Sequence, residues 1–275
     1  MVKDDKIFKY WYYICFMGKI NQLTETSKEF LLSKSLEDKS YVIDTEFIKV
    51  VTFYLGMGGT LGGDSFVLRT DDPIALSLIG DIEGYGSDGR IAVNKYCNKI
   101  QDLVESLAIL DQKSITEKLI FLDGVLAKDR AMAVSLLRIS LNGDTHYLNI
   151  GENTMYICVD QEVRDVSMSP GGKLGWFQKT LKWDKDIMAS EFTLKNFKAK
   201  NGDRIFLGSD GVTTYLEDED YDTIVIPRVK DSLKNADSLE KFVSDINIHA
   251  HNMLIQYNKT LPDDYTIMSL EFKNT

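Results

Sequence analysis

Cysteine, histidine and proline are all scarce in this chain of 275 residues, which holds three, three and four of them. The cysteines (Cys15, Cys97 and Cys158) form an odd set without motif spacing, which excludes a disulfide framework or a thiolate zinc centre. Reduced thiols suit a cytoplasm, the expected location. Cys15 and Cys158 stand among apolar residues, and Cys97 has no histidine near it in sequence, so no thiol nucleophile is indicated. Positive charge is also short: 32 Lys and Arg against 42 Asp and Glu leave a net charge of −10. Nucleic acid or an anionic membrane as the main partner is thereby excluded, because both would be repelled. Long apolar runs are missing. The most apolar stretch, "IFKYWYYICFMG" at 7–18, is interrupted by Lys9 and falls short of the roughly 20 residues a spanning helix needs. No small-residue cleavage site follows it, so it is not read as a signal peptide. It is read as a segment that packs on the core or joins two chains as a homodimer, with no stable membrane insertion.

Residues 1–48 read as an N-terminal extension with helical stretches, and 49–275 as one domain, since no Pro/Ser-rich linker divides the remainder. Within that domain strands alternate with a few long helices. "FVLRT" and "PIALSLIGD" flank the turn signal Asp71-Asp72-Pro73 and predict a hairpin. Ile91, Tyr96, Ile100, Leu103 and Leu107 recur at helical spacing. Ser114 with Glu117 predicts a capping box opening a second helix. "AMAVSLLRISL", Asn142-Gly143 and "THYLNIG" predict a second hairpin. "TMYICVD", "EFTLKNFKA" and "DRIFLGSD" follow as strands, then a helix carrying Leu239, Phe242, Val243, Ile246 and Met253, then the closing strand "YTIMSLEF". Antiparallel strands with helices grouped between them predict an α+β fold in which two packed antiparallel sheets are flanked by helices.

The acids at strand ends carry the chemistry. A symmetric hairpin about Asp71–Pro73 sets Thr70 opposite Ala75, Phe66 opposite Ile79 and Asp64 opposite Asp81. Facing residues share one side of the sheet with Cβ atoms about 5 Å apart, so two like charges there repel unless something neutralises them. Asp210 ends another apolar strand just before Gly211, and Asp263 and Asp264 immediately precede the last strand. Asp before Gly is the commonest turn chemistry, and taken one at a time these acids read first as turn residues. Together they point to a site for a hard cation such as Mg²⁺ or Mn²⁺, which favour oxygen ligands. Gly84, Gly86 and Gly89 leave bare backbone beside Asp81 and room for a carbonyl ligand or a substrate.

"GGDSF" (62–66), "GDIEGYG" (80–86), "GDRIFLGSDGV" (202–212) and "PDDYTIMSL" (262–270) occur in an order that resembles the metal-dependent PPM-type (protein phosphatase 2C-like) phosphatases. The resemblance covers roughly 50–272 and is greatest to the bacterial branch of the stage II sporulation and stress-response phosphatases, which "YLNIGENTMYICVDQEV" and "GGKLGW" also fit. It implies two Mn²⁺ or Mg²⁺ ions, with Asp81 bridging them and the carbonyl of Ile82 binding one. It further implies Asp210 and Asp263 as ligands, Asp64 as a ligand directly or through a water, and Asp264 outside the ligand set. Asp81 and Asp64 would be the catalytic acids, serving attack on phosphorus by a water that two cations share. The implied substrate is a phosphoserine or phosphothreonine protein, with an anti-sigma-factor antagonist as the expected partner. Glu83 and Tyr85 depart from the family pattern, and no equivalent is found for the arginine that grips phosphate in eukaryotic relatives. These departures sustain a second reading, a catalytically inactive regulator that binds a phosphoprotein.

Other signals weigh less. "GGDSF" lacks the acid that a diguanylate cyclase signature needs where Ser65 stands, and "GMGGTLGG" lacks the Gly-Lys-Ser/Thr of a P-loop. His249 and His251 are two apart on a helical pattern and do not share a face. The acidic run 216–222 reads as a solvated loop.

Overall fold

The structure is a computed structural model that describes residues 21–23, 31–32, 40–55, 64–71, 74–82, 95–96, 99, 111–126, 131–167, 194–213, 221–258 and 263–273. The apolar segment at 7–18, Glu83 to Gly89, the "GGKLGW" stretch and most of the helix expected from Ile91 onward lie outside them.

Thirteen strands among the described residues form two sheets. The first is built from β1 (Asn21–Leu23), β3 (Ser40–Asp44), β4 (Ile48–Leu55), β9 (Thr154–Val159), β10 (Glu162–Asp165), β12 (Arg204–Gly208) and β13 (Tyr265–Phe272). Its order is β1-β3-β4-β13-β12-β9-β10. The second contains β2 (Leu31–Leu32), β5 (Asp64–Asp71), β6 (Ile74–Ile82), β7 (Met132–Ser140), β8 (Asp144–Ile150) and β11 (Lys195–Lys198), in the order β11-β8-β7-β6-β5-β2. All pairings are antiparallel except β1 with β3. Three helices of ten residues or more flank the sheets among the described residues: α1 (Gln112–Leu126), α2 (Ile226–Asn235) and α3 (Leu239–Gln256). The expected α+β sandwich is the observed one.

The strand pattern explains the layering. In β12, Ile205 and Leu207 enter the core between the sheets, while Phe206 points to the other face. There Phe206 stacks on Tyr156 and meets the edge of Phe242 of α3. Met268 and Ile267 of β13 divide the same way. A strand buried on both faces reads as a continuous apolar run, and these two do. The inner core joins Ile79, Leu137, Ile139 and Tyr147 of the second sheet to Val50, Met155, Leu207 and Leu270 of the first. Both expected hairpins form. Gly143, at φ +86°, closes the second one; a Cβ there would stand 2.3 Å from Ala199 O.

Three details differ from the sequence reading. The first is the boundary after residue 48, which cuts a hairpin: Asp44 pairs with Lys49, and β3 is hydrogen-bonded along β4. Residues 40–48 are therefore part of the sheet, and the described residues before 49 include strands and no helix. Tyr41, Val42 and Ile43 are β-formers whose period-two pattern is too short to stand out beside the polar residues around it. The second is the capping residue of α1. Asp111, three residues before Ser114, accepts from Ser114 N at 2.9 Å and from Ser114 Oγ at 2.8 Å. A carboxylate accepts more strongly than a hydroxyl and occupies the cap. The third is an unforeseen helix, α2, with Pro227 in its first turn, where a missing N–H costs nothing. α3 opens on Ser238, whose Oγ accepts from Lys241 N at 3.1 Å.

Candidate metal centre

Hairpin geometry brings the first two acids together. β5 and β6 pair with Asp64 opposite Asp81, Phe66 opposite Ile79 and Thr70 opposite Ala75. Both carboxylates are buried, Asp64 at 1% and Asp81 at 9% exposure. Asp81 also lies opposite Ala133 of β7, so it belongs to an interior strand. Ile82 follows it and pairs with Met132 as the last residue of β6.

The other acids come from the facing sheet. β12 and β13 are antiparallel, with Gly208 opposite Ile267, so the residues after β12 and those before β13 reach the same edge. Asp210 opens a short 3₁₀ turn through Val212, and Asp263 and Asp264 precede Tyr265. Gly211 is required by this approach, since a Cβ there would lie 1.8 Å from Asp264 O. Side-chain volume at 211 would push apart the segments bearing Asp210 and Asp264.

The Thr266 hydroxyl and the Asp64 and Asp264 carboxylates link the two sheets here, and neighbouring bonds order the segments on the β12–β13 side. Thr266 Oγ1 donates to Asp64 Oδ2 at 2.7 Å, and Asp64 N donates to Asp264 Oδ2 at 3.4 Å. Ser209 Oγ accepts from Thr266 N at 3.0 Å and donates to Asp264 O at 3.3 Å. Asp263 Oδ1 accepts from Asp264 N at 2.7 Å, which orients the pair of adjacent acids. Thr213 N and Oγ1 both donate to Asp210 O, at 2.9 and 3.3 Å. Asp264 is 2% exposed, whereas Asp210 and Asp263 are half-buried.

Burial pushes the Asp64 carboxyl well above its usual range, and the negative charges of Asp81, Asp264 and Asp210 add to the shift; a hydrogen bond from Ser209 opposes it. Asp64 thus feels acids from both sheets. The structure brings Asp64, Asp81, Asp210 and Asp264 into one electrostatic neighbourhood, with Asp263 beside Asp264 and Ile82 beside Asp81. Among the described residues, no three acids, histidines or cysteines close around a single point as a metal's ligands would. The donor set still fits a hard cation in kind: it is all oxygen, is carried by four strand ends at one edge of the sandwich, and holds repulsion that a positive charge relieves.

The motifs did not single out Ser209, Thr266, Thr213 or Asn153, although all four are buried. Their signal is a hydroxyl or amide placed within one to three residues of an acid or inside an apolar strand, where a methyl would be cheaper to bury.

The stage II sporulation protein E (SpoIIE) family model matches residues 75–273. Among curated proteins none matches the sequence. A structure of RsbX in complex with magnesium is similar at 21% identity and a TM-score of 0.59, covering 86% of this chain and 100% of that one. The PP2C phosphatase domain of SpoIIE from Bacillus subtilis, with a fragment of its regulatory domain, is similar at 18% identity and a TM-score of 0.62. That match covers 84% of this chain and 66% of the other. The catalytic domain of the serine/threonine phosphatase PstP with two manganese ions is similar at 14% identity and a TM-score of 0.50, covering 82% and 99%. With a family model spanning most of its length, the chain belongs to the stage II sporulation protein E (SpoIIE) family, and it shares its sandwich fold with these phosphatases.

Proposed function

We propose that this protein is a Mn²⁺- or Mg²⁺-dependent serine/threonine protein phosphatase of bacterial signalling. Asp64, Asp81, Asp210, Asp263 and the carbonyl of Ile82 would hold two cations. The observation that carries this reading is the buried pair of facing carboxylates, Asp64 and Asp81, crowded by Asp264 and Asp210 from the opposite sheet. A chain of this family keeps such repulsion in its interior for a purpose other than stability. When bound, the cations supply a water acidic enough to attack phosphorus near neutral pH and positive charge that offsets that of the phosphoryl oxygens.

The protein's own groups prepare the site. Thr266 fills one acceptor position of Asp64 Oδ2 and so orients the carboxylate. Asp264 receives the Asp64 backbone N–H and thereby ties β5 to the start of β13. Asp263 accepts from Asp264 N, which restrains its carboxylate beside the start of β13. Gly211 lies against the Asp264 backbone and so lets the segment bearing Asp210 approach the start of β13. We assign the substrate as a phosphoserine or phosphothreonine of a small signalling protein such as an anti-sigma-factor antagonist, and the location as the cytoplasm. No helix among the described residues is long and apolar enough to cross a membrane.

One observation favours the alternative, a phosphoprotein-binding regulator without activity: among the described residues the acids do not close into a ligand set. Hydrolysis of p-nitrophenyl phosphate by the full chain, with and without Mn²⁺, separates the two. The phosphatase reading expects metal-dependent turnover and a loss of at least about 100-fold in Asp81→Asn, more than the usual cost of a residue that merely orients a ligand. Turnover that is absent, independent of metal, or unchanged in Asp81→Asn rejects it.

A further inference from the structure

The acids of the site arrive on separate sheets, and Thr266 ties the two sheets together at Asp64. A second tie lies on the other side, at the turn from β8 to β9, where the chain leaves one sheet for the other. Asn153, in this turn, is 1% exposed, and its Nδ2 stands 3.5 Å from Ile79 O, two residues before Asp81. The next residue, Thr154, begins β9 opposite Gly208, two residues before Asp210. Thr154 Oγ1 lies 3.1 Å from Thr213 Oγ1, and Thr213 Oγ1 donates to Asp210 O at 3.3 Å. A hydroxyl has one proton to give. Since Thr213 donates its proton to Asp210 O, the proton between the two threonines is Thr154's. The bridge therefore runs in one direction, from the Asp81 strand through Asn153 and Thr154 to Thr213 and the Asp210 carbonyl.

The turn itself is anchored. Asn149 Nδ2 donates to Asn153 O at 2.8 Å and to Ser167 O at 2.6 Å, and Asn149 Oδ1 accepts from Ser135 Oγ of β7. Asn153 Oδ1 is buried without a hydrogen-bond donor among the described residues. An unfilled buried acceptor costs about 1–3 kcal/mol, so an apolar residue would fold more cheaply at this position. Buried polar groups that break a local rule cluster where function demands them.

We propose that Asn153, Thr154 and Thr213 are positioning residues that set the separation of Asp81 from Asp210, and so the affinity of the centre for its cations. This rests on the phosphatase reading above. Side chains that orient metal ligands without touching the metal typically contribute 10–100-fold in affinity.

The test is calorimetric titration of Mn²⁺ into the full chain, alongside thermal melts of the metal-free protein. Thr213→Val keeps the shape of the side chain but removes both Thr154's acceptor and the donor to Asp210 O; it should weaken Mn²⁺ binding by about 10–100-fold. Thr213→Ser retains the hydroxyl and should bind within about threefold of the wild type, a rescue that a packing role would not show. Thr154→Val and Asn153→Ala should weaken binding less than Thr213→Val does. The Thr154→Val, Thr213→Val double variant should lose no more than Thr213→Val alone, because both interrupt one chain of bonds. Wild-type affinity in Thr213→Val, or losses that add in the double variant, overturn the proposal. So does a lowered melting temperature with unchanged affinity. If Thr213→Val does not fold, Thr154→Val and Asn153→Ala decide alone: wild-type affinity in both overturns the proposal, and weakened binding in either supports it. No Mn²⁺ uptake by the wild type overturns this proposal and the phosphatase reading together, whereas uptake unaffected by the variants overturns this one only.

Discussion

The hairpins β5–β6 and β7–β8 lie side by side in one sheet and start alike, each with strands joined by a tight turn. Asp71 faces Ile74 in the first, and Ile139 faces Thr145 around Asn142-Gly143 in the second. Their far ends diverge. The second finishes on Val134 opposite Ile150, with the Ser135 hydroxyl bonded to Asn149, so every group is apolar or neutral and paired. The first finishes on Asp64 opposite Asp81, like charges in a buried position. The β7–β8 end carries no unbalanced charge, as stability favours; the β5–β6 end opposes stability and is explained by a ligand of opposite charge. Adjacent hairpins of one sheet thus differ in whether their far ends are electrostatically satisfied by the protein itself.

The largest effect that would break this comparison lies in the stable hairpin. Leu137→Ala removes a fully buried side chain of the inner core and should cost about 2–5 kcal/mol in chemical denaturation. Its Mn²⁺ affinity should stay at the wild-type value; a large loss of affinity would show that the two ends are not separable. Next comes Asp64→Asn, which should do the reverse. Measured by thermal melting without metal, it should stabilise the protein by about 0.5–2 kcal/mol, because the buried repulsion with Asp81, Asp264 and Asp210 is relieved. The same variant should take up no Mn²⁺. A destabilised metal-free Asp64→Asn would mean that the hydrogen bond from Thr266 outweighs the repulsion.

The smallest effect supplies a control outside both hairpins. Burial, and secondarily Arg228, lowers the His249 pKa on α3. A histidine depressed in the folded state binds protons first in the unfolded chain, so its contribution to stability is whole above about pH 6.5 and is lost as pH falls below that. His249→Gln should flatten this acid limb in unfolding measurements and leave Mn²⁺ binding at pH 7.5 unchanged. A changed affinity at that pH would extend the site to α3.

Legibility in the sequence followed the range of the interactions. The β5–β6 register could be read residue by residue, because a tight turn fixes which numbers face each other and alternation fixes which face they share. β12 and β13 were visible as continuous apolar runs for the same local reason. β3 escaped notice, because its pairing with β4 and not its own composition makes it a strand. The capping residue of α1 was misplaced by one turn because Asp111 and Ser114 both suit a cap and only geometry shows which accepts.

The sequence alone determined the two hairpins, the apolar strands β12 and β13 and the facing of Asp64 and Asp81, since each depends on neighbours a few residues away. Only the tertiary structure decided that Asp264, 200 positions along the chain, supplies a carboxylate to the Asp64 backbone and that Thr266 caps its side chain. It also decided that Thr154 meets Thr213. The Asp64 contacts exist because two sheets pack at one angle and one offset, and the Thr154–Thr213 contact because β9 and β12, far apart in the chain, are neighbours in one sheet. An alternating apolar pattern demands that the sheets pack, but it is nearly the same for every offset and so names none of the polar groups that meet at the edge.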